Sequence, residues 1–173
     1  SVTVQNELPT IASVSLTPDP LVSTDDVNCV ANGVYDLDMD SVSLSYEWTV
    51  DGVVVSETSD VLSGPIAAGS TVDCAVTPND GFGDGTTVSA SIMVTNTVPV
   101  VDSVELDTAE ILSDGTVTAT ATLSDIDATQ TVSANYEWFV NGTSVQNGSI
   151  ATLDGAFFVK GDDVYVVVTP NDG

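Results

Sequence analysis

The chain has 173 residues, 26 Asp and Glu against 1 Lys and Arg, no His, and a formal net charge of -25 at pH 7. So acidic a surface repels phosphate backbones and anionic headgroups, which argues against nucleic acid and membrane surfaces as partners. No apolar run approaches the roughly 20 residues that span a bilayer, so direct membrane insertion is not expected.

Self-repulsion of this size favours salty or calcium-containing surroundings. Hydrophobic residues at 42%, in clear alternation, mark a folded chain rather than an acidic tail. The opening residues lack the charged-then-apolar pattern of a signal peptide.

Residues 1–6, SVTVQN, return as 91–96, SIMVTN, and each copy is followed three residues later by a proline, Pro9 and Pro99. The chain is therefore expected to open with the last strand of a preceding unit (1–6), followed by one domain at 7–96 and a second at 97–173. Residues 11–16 and 101–106 read as first strands. Val27, Cys29 and Ala31, matched by Val117, Ala119 and Ala121, form the inward face of second strands. The strongest alternation comes next. Leu44, Tyr46, Trp48 and Val50 alternate with Ser43, Ser45, Glu47 and Thr49, and Ala134, Tyr136, Trp138 and Val140 repeat the pattern. A period of two predicts a half-buried strand, with Tyr46, Trp48, Tyr136 and Trp138 as core anchors.

These strands end at Asp51-Gly52 and Asn141-Gly142, pairs that accept positive φ at both central positions of a tight hairpin turn. Short return strands follow near 53–55 and 61–62. Val72, Cys74 and Val76 then match Val164, Val166 and Val168, and both runs pass into Thr-Pro-Asn-Asp-Gly. Residues 86–95 supply the last strand of the first domain. The pattern is all-β: two tandem antiparallel β-sandwiches of about seven strands each, the second lacking its final strand within this chain. Either the sequence is a window on a longer array, or residues 1–6 of one chain complete the next by strand addition.

In a sandwich of this order, the loop after the second strand and the loop before the last strand share an end with the incoming linker. This gathers Asn6, Glu7, Asp36, Asp38, Asp40, Asn79 and Asp80 in the first domain, and Asn96, Asp125, Asp127, Asn171 and Asp172 in the second. Such sets supply the roughly six to eight hard oxygens that Ca²⁺ takes, and no nearby cation relieves their repulsion. The alternative is solvated acids that serve as turn formers. An EF-hand fails, because Ser41 stands where the loop needs Gly. Asn141 and Asn147 fit the N-glycosylation pattern and also read as ordinary turns. The chain is not expected to be an enzyme: the acid pairs fall on turns, with no His, Arg or cofactor motif beside them.

Cys29, Trp48 and Cys74 lie in the order and on the strands of an immunoglobulin-like domain. With Tyr46-Glu47-Trp48, Asp51-Gly52, Thr77-Pro78-Asn79-Asp80-Gly81 and their second copies, the chain resembles tandem immunoglobulin-like, PKD-like or cadherin-like repeats of large bacterial and archaeal surface proteins. The resemblance implies an extracellular or cell-surface stalk, adhesin or filament. Its partners would be neighbouring repeats or further copies, and calcium would stiffen its joints. It also implies a Cys29–Cys74 bridge worth about 4 kcal/mol in the chain-entropy model, formed in an oxidising compartment. Two unpaired core thiols are the other reading. The second domain departs from the pattern, with Ala119 and Val166 in place of the cysteines. The alternative function is an accessory carbohydrate- or protein-binding module of a secreted enzyme, for which only Phe82 and the Phe157-Phe158 pair offer exposed aromatics.

Overall fold

A computed structural model describes all residues, Ser1–Gly173, and divides them into two compact units, Ser1–Asn96 and Thr97–Gly173. In the first unit, β1 (Ser13–Thr17), β3 (Val27–Asn32) and β6 (Val61–Leu62) form one sheet in the order β1-β3-β6. The facing sheet runs β2-β8-β7-β4-β5, built from β2 (Leu21–Val22), β4 (Ser43–Val50), β5 (Val53–Val54), β7 (Thr71–Asn79) and β8 (Val88–Thr95). Eight strands replace the expected seven. The extra one is β2, which pairs parallel with β8 through Leu21 opposite Val94 and Val22 opposite Thr95.

The alternating residues do what their period requires. Val27 and Cys29 from one sheet meet Trp48, Val72, Cys74, Val76 and Val94 from the other, and all are buried. Cys29 and Cys74 are bridged across the sheets, with Cα atoms 6.4 Å apart, so the reading of unpaired core thiols is set aside. Trp48 is fully buried, and its indole N–H donates to the Ser59 carbonyl at 2.9 Å. That bond lets the largest core side chain keep a polar atom inside.

The second unit has six strands: β9 (Val100–Leu106), β10 (Thr116–Ser124), β11 (Ser133–Val140), β12 (Thr143–Gly148), β13 (Thr152–Asp154) and β14 (Val164–Asn171), with one 3-10 turn at Gly155–Phe157. They form two sheets, β13-β10-β9 and β12-β11-β14. The core holds Val117, Ala119, Trp138, Val140, Leu153 and Phe158. Phe158 had been expected in an outward aromatic patch, but the 3-10 turn before it swings it inward. Phe139 instead stacks on Tyr165 across the β11–β14 pair, ring centroids 4.9 Å apart. Tyr46 and Tyr136 are only partly buried and pack against the rims of the two cores.

Both hairpins turn as their dipeptides require, with φ of 51° and 75° at Asp51 and Gly52 and 51° and 77° at Asn141 and Gly142. In each, the first turn residue also clamps the next long strand. Thr71 N–H donates to the Asp51 carboxylate at 2.9 Å, and Asp163 N–H donates to Asn141 Oδ1 at 3.0 Å. No helix is long and apolar enough to cross a membrane.

The two tryptophans differ in one respect: the Trp138 indole N–H is buried without a partner. An unsatisfied buried donor costs about 1–3 kcal/mol, whereas a made bond contributes about 1 kcal/mol. Trp48→Phe is therefore expected to destabilise its unit by about 1–3 kcal/mol more than Trp138→Phe destabilises the other, since both lose the same ring volume. Scanning calorimetry of the two variants, with separate fitting of the unit transitions, measures this difference.

Candidate metal centre

The loop after β3 carries Asp36, Asp38 and Asp40, and the structure brings a carboxylate oxygen of each within 4.8 Å of the others. Local hydrogen bonds set this spacing. Asp36 Oδ1 accepts from the Asp40 N–H at 3.1 Å, which folds the loop back on itself. Met39, between Asp38 and Asp40, takes a φ of 65°, a left-handed conformation that a non-glycine residue adopts only when its surroundings hold it. Asp38 Oδ2 accepts from the Glu7 N–H at 2.7 Å, so the loop grips the segment entering the unit. Asp36 is only 6% exposed, and its Oδ2 is buried with no hydrogen-bond donor. A buried carboxylate oxygen without a donor is costly, and the first unit contains no Lys, Arg or His to compensate it.

Asn79 and Asp80, expected beside these acids, are engaged in shaping the loop before β8. Asp80 Oδ1 accepts from the Phe82 and Gly83 N–H groups, both at 2.8 Å, while Asn79 Oδ1 accepts from Gly81 at 2.7 Å and its amide donates to Asp84 at 2.7 Å. Asp80 Oδ2 accepts from the Asn6 amide at 2.9 Å. Asn6 and Glu7 thus tie the entering segment to two loops at once. Gly85 makes this approach possible: a Cβ there would lie 1.9 Å from the Pro9 carbonyl oxygen.

The second unit repeats the grip. Asp127 Oδ2 accepts from the Thr97 N–H at 2.6 Å, the place that Glu7 N–H and Asp38 hold in the first unit. Asp125 Oδ1 accepts from the Asp127 N–H at 2.8 Å. Asp127 is 1% exposed, and Asp127 Oδ1, Asp125 Oδ2 and the Thr97 hydroxyl are buried without partners. Asn171 serves its own loop, its Oδ1 accepting from Gly173 at 3.0 Å, with Asp172 half-buried beside it. Asn96 closes the first unit and is exposed. The Thr97 hydroxyl was not among the expected ligands. Its place in the linker, where it matches Glu7 of the first unit, was the available signal.

No protein-family model matches the chain, and no curated protein matches it. The site must be interpreted from its own geometry. Two buried carboxylates in equivalent loops each keep an oxygen that no protein donor reaches, and hard-oxygen donors of this kind suit Ca²⁺ or Mg²⁺ rather than softer metals. Of the glycosylation candidates, Asn141 donates its amide to Asp162 at 2.7 Å, and a glycan on that nitrogen would leave it a single hydrogen for this bond. Asn147 is exposed on β12, its Oδ1 accepting from Asn135 at 2.8 Å.

The Asn6 amide, with help from the Gly83 and Phe82 N–H groups, holds the Asp80 carboxyl below its ordinary range, although burial pushes the other way. A folded-state value below the unfolded one stabilises the fold above the unfolded value of about 3.9, and that contribution is lost as the pH falls through the folded value. In chelator, the gap in unfolding midpoint between the native protein and Asp80→Asn should be widest near pH 6 and shrink below about pH 4. Thermal melts over a pH series measure it.

Proposed function

We propose that this chain is a structural and adhesive part of an extracellular cell-surface stalk or filament, made of immunoglobulin-like repeats stiffened by Ca²⁺. The ions bind at Asp36, Asp38 and Asp40 in one unit, and at Asp125, Asp127 and Thr97 in the other. One observation carries the reading: both units bury carboxylate oxygens that lack donors, in matching loops that also hold the backbone of the entering segment. A divalent ion offsets the buried charge and fixes that segment to the loop. The Cys29–Cys74 bridge supports an oxidising compartment. Such a protein works by holding a length and a stiffness, and needs no catalytic group.

The accessory-module alternative draws support from one surface, the stacked Phe139–Tyr165 pair, where Tyr165 is 40% exposed. Glycan-array binding lost in Tyr165→Ala would favour that reading.

Calorimetric titration with Ca²⁺ should show saturable binding that Mg²⁺ and monovalent salt do not reproduce. Asp36→Asn should remove the first site and Asp127→Asn the second. Saturation to about a hundred times Kd should raise the stability of the affected unit by about 2.7 kcal/mol. A flat titration would reduce the loops to hydrated turns.

A further inference from the structure

The two acidic loops grip the entering segment in the same way but offer an ion different sets of atoms. In the first loop the acids recur at Asp36, Asp38 and Asp40, and a carboxylate oxygen of each lies within 4.8 Å of the others. In the second they stop at Asp125 and Asp127, and the next alternate position holds Thr129, which is exposed. The gripped residue changes in the same direction. Asp38 accepts from the N–H of Glu7, an acid, whereas Asp127 accepts from the N–H of Thr97, a neutral residue. Asp36, Asp38, Asp40 and Glu7 thus bring four formal negative charges to the first site, against two from Asp125 and Asp127 at the second.

The second loop has fewer charges and more closed-off oxygens. Asp125 Oδ2, Asp127 Oδ1 and the Thr97 hydroxyl are all buried without a hydrogen-bond partner, whereas Asp36 Oδ2 alone is so placed in the first. The Thr97 hydroxyl is the most informative of them. The backbone N–H of the same residue lies 2.6 Å from Asp127 Oδ2, yet the hydroxyl bonds neither to that carboxylate nor to any other group. A hydroxyl can both donate and accept, so a buried one that does neither is costly. Hard cations take neutral oxygens beside carboxylates, and an ion at Asp125 and Asp127 would give this one a partner.

Given Ca²⁺ at both loops, as proposed above, we infer that the ions enter in order: the Asp36–Asp38–Asp40 site fills first, and the Asp125–Asp127 site fills second with the Thr97 hydroxyl as one of its ligands. Affinity for Ca²⁺ follows the number of charged ligands. A carboxylate about 4 Å from a divalent ion changes its affinity about thirtyfold even at the dielectric of water. Burial does not reverse this order. It strengthens the attraction at Asp127, 1% exposed, but also strips the ion of water, and Asp36 is nearly as enclosed at 6%. The result is a graded grip on the chain. Between the two filling ranges, Glu7 is fixed to its loop by an ion, while Thr97 is held by its hydrogen bond to Asp127 alone.

The test is a calcium titration of the whole chain followed by NMR, with the Glu7 and Thr97 amide signals reporting one site each. The Glu7 signal should reach its end point at a calcium concentration about tenfold or more below that for Thr97. Asp40→Asn should move the Glu7 curve about thirtyfold toward higher calcium and leave the Thr97 curve in place. Thr97→Val removes the hydroxyl and little volume. It should raise the unfolding midpoint of the second unit in chelator, and move the curve read at position 97 about tenfold or more toward higher calcium. A hydroxyl with only a structural role would give the opposite pattern, a lowered midpoint and an unmoved curve. Coincident curves, a Thr97 signal that saturates first, or a Thr97→Val curve that stays in place overturns the inference and leaves the calcium reading standing. A chain that shows no calcium response at either amide removes both.

Discussion

Two facing sheets exclude water only as far as each covers the other, and this limit governs both units. In the first unit, β8 seals the edge of β7, and β2 is a strand only because β8 is there to pair with it. The reward is a core in which Trp48, Val72, Cys74 and Val76 have no exposure at all. The second unit has the same seam of Trp138 and alternating valines but a narrower sheet. Its valines stop half-buried, and the matching residues 111–112 stay irregular. One strand thus determines the state of several elements that it touches.

Electrostatics works against that closure. A chain with one basic residue cannot neutralise carboxylates with side chains, so its acids turn to backbone N–H groups. Asp51, Asp38 and Asp127 each accept from a main-chain donor far away in sequence, and Asp80 accepts from the Asn6 side chain. The acids therefore act as fasteners between segments distant in sequence. Where the main-chain donors run out, at Asp36 Oδ2 and Asp127 Oδ1, carboxylate oxygens stay buried without a hydrogen-bond donor.

The strands were legible because alternation survives in a half-buried sheet: Tyr46, Trp48 and Val72 to Val76 report their faces directly. The hairpins were legible because few dipeptides besides Asp51-Gly52 and Asn141-Gly142 tolerate two positive φ values. What the sequence hid depends on partners. Two residues such as Leu21 and Val22 carry no period of their own, so β2 emerges only from its neighbour. Phe158 read as outward because a 3-10 turn interrupts the parity of the strand before it. At the acidic loops, composition pointed to Asp36, Asp38, Asp125 and Asp127. It did not separate them from Asn79 and Asp80, because Asp and Asn shape turns and ligate cations with the same atoms. Which of these oxygens shape a turn and which stay without a donor is set by backbone N–H groups, which every sequence carries invisibly.

The Cys29–Cys74 bridge has one more consequence. It joins two points 45 residues apart along the first unit. A fully drawn-out chain spans about 3.3–3.6 Å per residue, so the bridge withholds roughly 150 Å of contour length from any extension, even after the sheets separate. The second unit, with Ala119 and Val166 at the equivalent places, withholds none. Under tension the first unit would therefore keep back almost half of its chain, whereas the second pays out all of its own.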